Sequence, residues 1–411
     1  MQLAVKWKNS FKPELVIEKL SKIRALGGGK VSFIGLEYEE YISVLQSMID
    51  IDEDIPIEMS HELIVKGFYE AAKKPELTKQ GVISSVKKVV REHLGKPDKN
   101  YYLVTTLNVH INNDLPRYII NGCSIRFYKT LPKKYRNARQ EFLDMASPWL
   151  VDKDDDLSHF IVAQVAEKSI HGAAEKVMDA IDLLRGIWNL HLNKAMVLNF
   201  GGRRKPVNKV MLGAIHTLHD KNGKKVNDTY WYQPEYSKEP TKIDFSKNSY
   251  KTLEFTKNVR KILRKNCYRK EVEGAIVRYV RALDSRDYNS VFISLWGILE
   301  YLTSTSKDGY DKTIRRASFH YPDREYERQV LEHLRQYRNK SVHLGAGESQ
   351  IDVHVYQLKS YVEQLLRFHI LNHFRFDSIE ESAKLMDLQH DIGELKKQIA
   401  IYQAGVKFIS G

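Results

Sequence analysis

Cysteine is scarce: Cys123 and Cys267 are the only two in 411 residues. Far apart in sequence, they support neither a disulfide framework nor a cysteine-based zinc site, and they fit a reducing cytoplasm. Long apolar runs are missing too. No stretch approaches the roughly 18 uninterrupted apolar residues of a membrane span, and Met1 to Lys8 lacks the apolar core of a secretory signal. Phosphate-loop grammar is absent: Gly27-Gly28-Gly29 is followed by neither Gly-x-Gly-x-x-Gly nor Gly-Lys-Ser, and reads as a helix stop. His159, His171, His191, His216 and His219 form no His-Glu-x-x-His set, so neither a metal site nor a cofactor is expected. Internal repeats and low-complexity tracts are also lacking.

Positive charge is in surplus. Lysine and arginine number 65 against 52 acidic residues, a formal charge of +13. Such a balance favours polyanionic partners, because neutralising phosphates releases counterions. Hydrophobic residues make up 42% and charged residues 28%, ordinary for a globular chain. The length suits more than one domain.

Up to about residue 245 the text mixes helix and strand. Helices are expected over Pro13–Leu26, Val82–Leu94 and Lys134–Ala146. Tyr101–Ile111 and Tyr118–Tyr128, rich in Tyr, Val, Ile and Thr, read as a hairpin turning through Asn112 to Pro116. The acidic run Asp152–Asp156 is placed to cap a long helix over Leu157–Leu184. A second hairpin has arms Lys209–Leu218 and Val226–Tyr232, joined at Asn222-Gly223. The polar segment Tyr236–Ser249 marks a domain boundary, with a lesser break near 150.

From Tyr250 onward, apolar residues recur at three- and four-residue steps. Helices are expected over Val272–Leu283, Tyr288–Leu302, Glu325–Tyr337, Val353–Phe374 and Ser378–Tyr402. The expected fold class is therefore α+β. A mixed N-terminal region (1–245) precedes an all-α bundle (250–376) and a C-terminal amphipathic helix (377–411).

Chemistry concentrates in Tyr337-Arg338-Asn339-Lys340-Ser341-Val342-His343-Leu344-Gly345. An Arg five positions before a His is a weak pattern by itself, and Arg315–His320 and Arg328–His333 repeat it nearby. Only the third copy has Asn directly after the Arg and a glycine-containing loop following. It also lies downstream of a helix with an acidic residue on an apolar face, Leu295-Trp296-Gly297-Ile298-Leu299-Glu300-Tyr301-Leu302, and of a basic loop, Thr313-Ile314-Arg315-Arg316. On a helix, five residues turn about 500°, leaving Arg338 and His343 roughly 140° apart. That spacing suits a groove lined from two sides or a two-fold interface.

Together these features, over roughly Val272 to Phe374, resemble the signature of HEPN domains, in particular the ApeA-like branch of prokaryotic antiviral and abortive-infection proteins. The resemblance implies a HEPN-type bundle that dimerises with its two motifs facing each other. It implies a metal-independent endoribonuclease with Arg338, Asn339 and His343 catalytic and Glu300 supporting. It further implies an N-terminal region that senses a phage-derived or nucleotide trigger, or holds the nuclease silent. A neutral His343 can take the proton of an RNA 2′-hydroxyl, whose oxygen then attacks the adjacent phosphorus. Arg338 would neutralise the charge growing on the phosphate, and the products are a 2′,3′-cyclic phosphate and a 5′-hydroxyl. Lys340, Arg315, Arg316, Arg264 and Lys265 are candidate RNA contacts, with Tyr268 placed to stack on a base. The expected setting is cytoplasmic, with no membrane. The main alternative is a HEPN module that binds RNA or dimerises without cleaving. A DNA-binding regulator ranks last, for want of helix-turn-helix grammar.

Overall fold

In the computed structural model, residues 5–410 are described apart from 29, 53–54, 56, 111–114, 147–158, 198–203, 234–242, 246–248 and 345–349, and the side chains of 58, 244, 249 and 341–344. The acidic run 152–156, most of the polar segment 236–249 and the loop after the His343 helix lie outside this set.

Residues 5–94 build a core of their own. Its elements are β1 (Val5–Trp7), α1 (Pro13–Lys22), β2 (Arg24–Gly27), β3 (Lys30–Phe33), α2 (Glu37–Met48), β4 (Ile49–Ile51), α3 (Ile57–Ala72) and α4 (Lys79–Leu94). Pro13 opens α1 as expected, but the helix ends at Lys22. The next residues turn back as the antiparallel β2–β3 hairpin, with Gly28 at φ +56°. Gly27 and Gly28 thus belong to a hairpin and do not stop a helix. Glycine adopts that left-handed backbone at no steric cost. Leu20, Leu45, Phe68 and Val86 lie at 0% exposure in this core.

Next come β5 (Lys99–Leu107), β6 (Val109–His110), β7 (Tyr118–Ile120), β8 (Cys123–Tyr128), α5 (Lys133–Met145), β9 (His159–Glu167), α6 (Ile170–Leu192), β10 (Ile215–His219), β11 (Trp231–Tyr232) and β12 (Ile243–Asp244). Six of these strands form one antiparallel sheet in the order β11-β10-β5-β9-β8-β7, and β12 pairs separately with β6. Two expectations fail here. Tyr118–Tyr128 is a complete hairpin, turning at Asn121-Gly122 (φ +47° and +81°), and β9 separates it from β5. Residues 159–167 form that strand, so the long helix starts only at Ile170, after the Ser169 cap. The hairpin at Asn222-Gly223 is present, with shorter arms than expected.

Side-chain alternation gives the sheet two covered faces. Leu103, Ile161, Ala163 and Ile125 face α6 and the main core, whereas Val104 and Val162 pack with Tyr135 of α5.

The C-terminal half is all helical: α7 (Ser249–Leu263), α8 (Arg269–Ala282), α9 (Tyr288–Leu302), α10 (Tyr310–Ser318), α11 (Arg324–Leu344), α12 (Ile351–Leu371), α13 (Ile379–Met386) and α14 (Ile392–Ser410). The expected Ser378–Tyr402 helix is two helices, α13 and α14, and α14 buries no residue. The fold is α+β as expected. The main core runs from Tyr101 to Met386 and so spans both sides of residue 245. Arg185 of α6 ties the sheet layer to the bundle: buried, it donates to Asp182 at 2.7 Å and to both oxygens of Asp284 at 2.7 Å. Among the described residues, no helix is long and apolar enough to cross a membrane.

Candidate functional site

Three helices set the surroundings of Arg338. Phe292 and Trp296 of α9 are buried, and Tyr337 of α11 meets the Phe292 ring edge-on at 4.9 Å. The Tyr337 hydroxyl also donates to Asn289 of α9, which fixes the axial register of the two helices. One residue on, Arg338 turns away from this contact. Its guanidinium carbon lies 5.0 Å from the ring centre of Tyr310, at the start of α10. Tyr310 in turn stands edge-on to Trp296 at 6.1 Å, and the Trp296 indole Nε1 donates to Glu300 Oε1 at 2.8 Å. Glu300 therefore reaches Arg338 through two aromatic rings, and no direct ion pair joins them among the described residues.

The three Arg–His copies differ in what holds them. Arg315 pairs with Asp387 at 2.6 Å, and His320 packs on the Phe368 ring at 4.5 Å, where burial lowers its pKa to about 4. Arg328 pairs with Glu325 at 2.7 Å, and His333 Nε2 lies 3.1 Å from His354 Nε2 of α12. Arg338 has no carboxylate partner among the described residues. It is half-buried, with its charged plane against an aromatic face, a placement that keeps its donors available to an anion. Asn339 and Lys340 follow on the same helix, and His343 lies in its last turn, with a side chain outside the described set.

No family model, curated protein or solved structure matches this chain. Its own geometry therefore carries the functional reading.

The remaining expected RNA contacts are dispersed. Arg315 and Arg316 lie on helix α10, not in a loop. Arg316 is only 5% exposed, and its donors reach Asp387 (2.8 Å from Nε) and the carbonyls of Thr303 (2.6 Å) and Ser304 (3.0 Å). It clamps the α9–α10 turn to α13 and has no face for a phosphate. Arg315, by contrast, lines an open groove of about 640 Å³ between α10 and α11, with Lys312, Arg328, Asp311 and Glu332. Arg264 and Lys265 are exposed at the α7–α8 turn, and Arg264 lines a different cleft. Tyr268 cannot stack on a base: it is 1% exposed, and its hydroxyl lies 3.1 Å from His369 Nδ1. The basic run 260–270 is thus split between two helices and does not form one cationic track. Sequence reasoning missed Tyr310 as the platform for Arg338, since a tyrosine at a helix start carries no pattern of its own.

Proposed function

We propose that this chain is a cytoplasmic, metal-independent endoribonuclease that acts as a homodimer through its helical bundle. Arg338, Asn339 and His343 form its catalytic set. The observation that carries this reading is the contrast among the three Arg–His copies. Two have their arginines committed to carboxylates, while Arg338 lies on an aromatic platform with its donors uncommitted to any acid among the described residues.

In the proposed step, His343 accepts the proton of an RNA 2′-hydroxyl. The 2′-oxygen bonds to phosphorus, the bond to the 5′-oxygen breaks, and that oxygen takes the proton back from His343 to leave as a 5′-hydroxyl. Arg338 and Asn339 donate to the non-bridging oxygens as charge accumulates there. Without a 2′-hydroxyl, DNA is inert. Constant activity would poison the host, so we assign residues 1–245 to sensing a trigger, phage infection or another stress, and to restraining the nuclease until then.

The test is incubation of the full chain with total RNA in EDTA, beside His343→Ala, followed by analysis of the cleaved ends. Cyclic phosphate ends that vanish in the variant support the enzyme. Because residues 1–245 would hold the resting nuclease silent, uncut RNA supports the alternative, a non-catalytic RNA-binding or dimerisation module, only when phage-infected cell extract added to the full chain leaves the RNA uncut as well.

A further inference from the structure

A second cationic site lies where the sheet meets the bundle, away from the α11 motif. The turn of the β7–β8 hairpin, the inner face of α6 and the α7–α8 corner enclose a cleft of about 280 Å³. Arg260, Arg264 and Arg269 all reach it, and the one carboxylate in its wall is Glu273. Three positive charges less one negative charge leave a surplus of two.

Two of the three arginines, Arg260 and Arg269, are held in place by hydrogen bonds. Arg269 donates from Nε to Glu273 at 2.5 Å and from its terminal nitrogen to the Asn121 side-chain oxygen at 3.0 Å. Asn121 also donates to the other Glu273 oxygen at 3.0 Å, so each oxygen of the one carboxylate accepts a hydrogen bond. Asn121 can reach both because its left-handed backbone (φ +47°) presents the side chain at the turn. Arg260 donates to the Ile119 carbonyl and lies 5.4 Å over the Tyr118 ring. Arg264 is exposed and has no acidic partner among the described residues. Burial, and then the charges of Arg264 and Arg269, lower the Arg260 pKa, with Glu273 opposing them only in part.

We propose that this cleft binds a small phosphate-bearing ligand, its phosphate oxygens held among Arg260, Arg264 and Arg269. A phosphate monoester carries close to two negative charges at neutral pH, matching the surplus. The planar guanidinium fork fits its oxygens two at a time. The volume falls just below the roughly 300–1,000 Å³ common for ligand pockets, which favours a compact ligand. Such a ligand would bridge the sheet's hairpin turn to α7 and α8. The site stands whether or not the α11 motif cleaves RNA.

The experiment is calorimetric titration of the full chain with inorganic phosphate and with pyrophosphate, at ionic strength fixed by sodium chloride, beside Arg264→Gln. Arg264 has an exposed side chain, so the variant should keep the parent's melting temperature without ligand. The expected result is saturable one-site binding, with affinity at least about tenfold weaker in Arg264→Gln. Heats equal to those of added chloride, or equal affinity in the two proteins, would overturn the proposal. So would binding of a phosphate-free-ended RNA oligonucleotide that depends on Arg264 while pyrophosphate does not bind, because the cleft would then follow a nucleic-acid backbone.

Discussion

Arg316 and Arg338 lie 22 positions apart in sequence and have opposite surroundings. Arg316 is buried and donates to Asp387 and two carbonyls; because Asp387 is 31% exposed, losing these charge-assisted bonds should cost about 2–3 kcal/mol, below the range of a fully buried pair. Arg316→Ala should therefore lower the denaturant midpoint sharply, whereas Arg316→Lys recovers only part, lacking the fork. Arg338→Ala removes a cation–π contact worth about 0.5–1 kcal/mol, so its melting temperature should nearly match the parent's. Its RNA cleavage should fall about 100- to 1,000-fold, the usual cost of one lost oxyanion donor. Retained cleavage in Arg338→Ala would remove that residue from the catalytic set. Asp387 adds a pH signature. Hydrogen bonds from Arg316, together with Arg315, hold its pKa at about 2, below the usual carboxylate value. A depressed folded pKa means stability that is present above the unfolded value, near 4, and lost as pH falls towards 2. Melting scans between pH 5 and 2 should show that loss, and Asp387→Asn should flatten it.

At the scale of elements, the contact of α6 with α8 is tightest at Gly186. A Cβ there would sit 2.6 Å from Ile276 Cγ2 and 3.1 Å from the Ile276 carbonyl oxygen, a backbone atom that cannot rotate away. Gly186→Ala should destabilise the protein by about 1–3 kcal/mol through overpacking, read as a lower denaturant midpoint with an unchanged slope. A neutral result would mean that α6 and α8 shift apart freely. Element type was legible where one face alone is buried. The α9 limits Tyr288–Leu302 follow directly from its 3.6-residue apolar period, and α4 and α5 were placed to within a few residues. The strand β9 was not legible. It is central, flanked by β5 and β8, and buried on both faces, so Ile161-Val162-Ala163 is an unbroken apolar run that fits helix and strand alike. Its pairing with β5 spans more than fifty residues, and local hairpin grammar carries no information about such partners. The Asn121-Gly122 signal was present but lay inside what read as one continuous strand. In the candidate site, the Arg338-Asn339 pair was legible as a motif. The commitments of Arg315 and Arg316 were not, since they depend on an acid as distant as Asp387.

At the scale of the whole molecule, the distribution of buried residues decides where the chain can be divided. Residues 5–94 close a core of their own, while the second core runs unbroken from Tyr101 to Met386. Cutting near 245, where the polar stretch suggested a boundary, would strip α6 from α8. Asp284 would then lose Arg185, and Ile276, at 0% exposure, would lose the α6 surface above it. An unpaired buried charge together with an uncovered apolar helix face exceeds what a bundle of that size sustains. A cut near residue 96 removes a unit whose apolar residues already face one another. At the other end, α14 buries nothing in its own chain, so ending after residue 391 should leave the melting temperature nearly unchanged. The expected outcome is that a fragment of residues 97–391 unfolds cooperatively, with a melting temperature within a few degrees of the full chain, while residues 250–391 give no cooperative transition. Restraint by the N-terminal region can then be tested on a folded protein, by comparing RNA cleavage by the 97–391 fragment and the full chain. Higher basal cleavage by the fragment assigns the restraint to residues 5–94, and equal or lower cleavage would show that those residues do not restrain the nuclease. Cooperative folding of 250–391 alone would contradict the division, because it would show that α8 does not need α6.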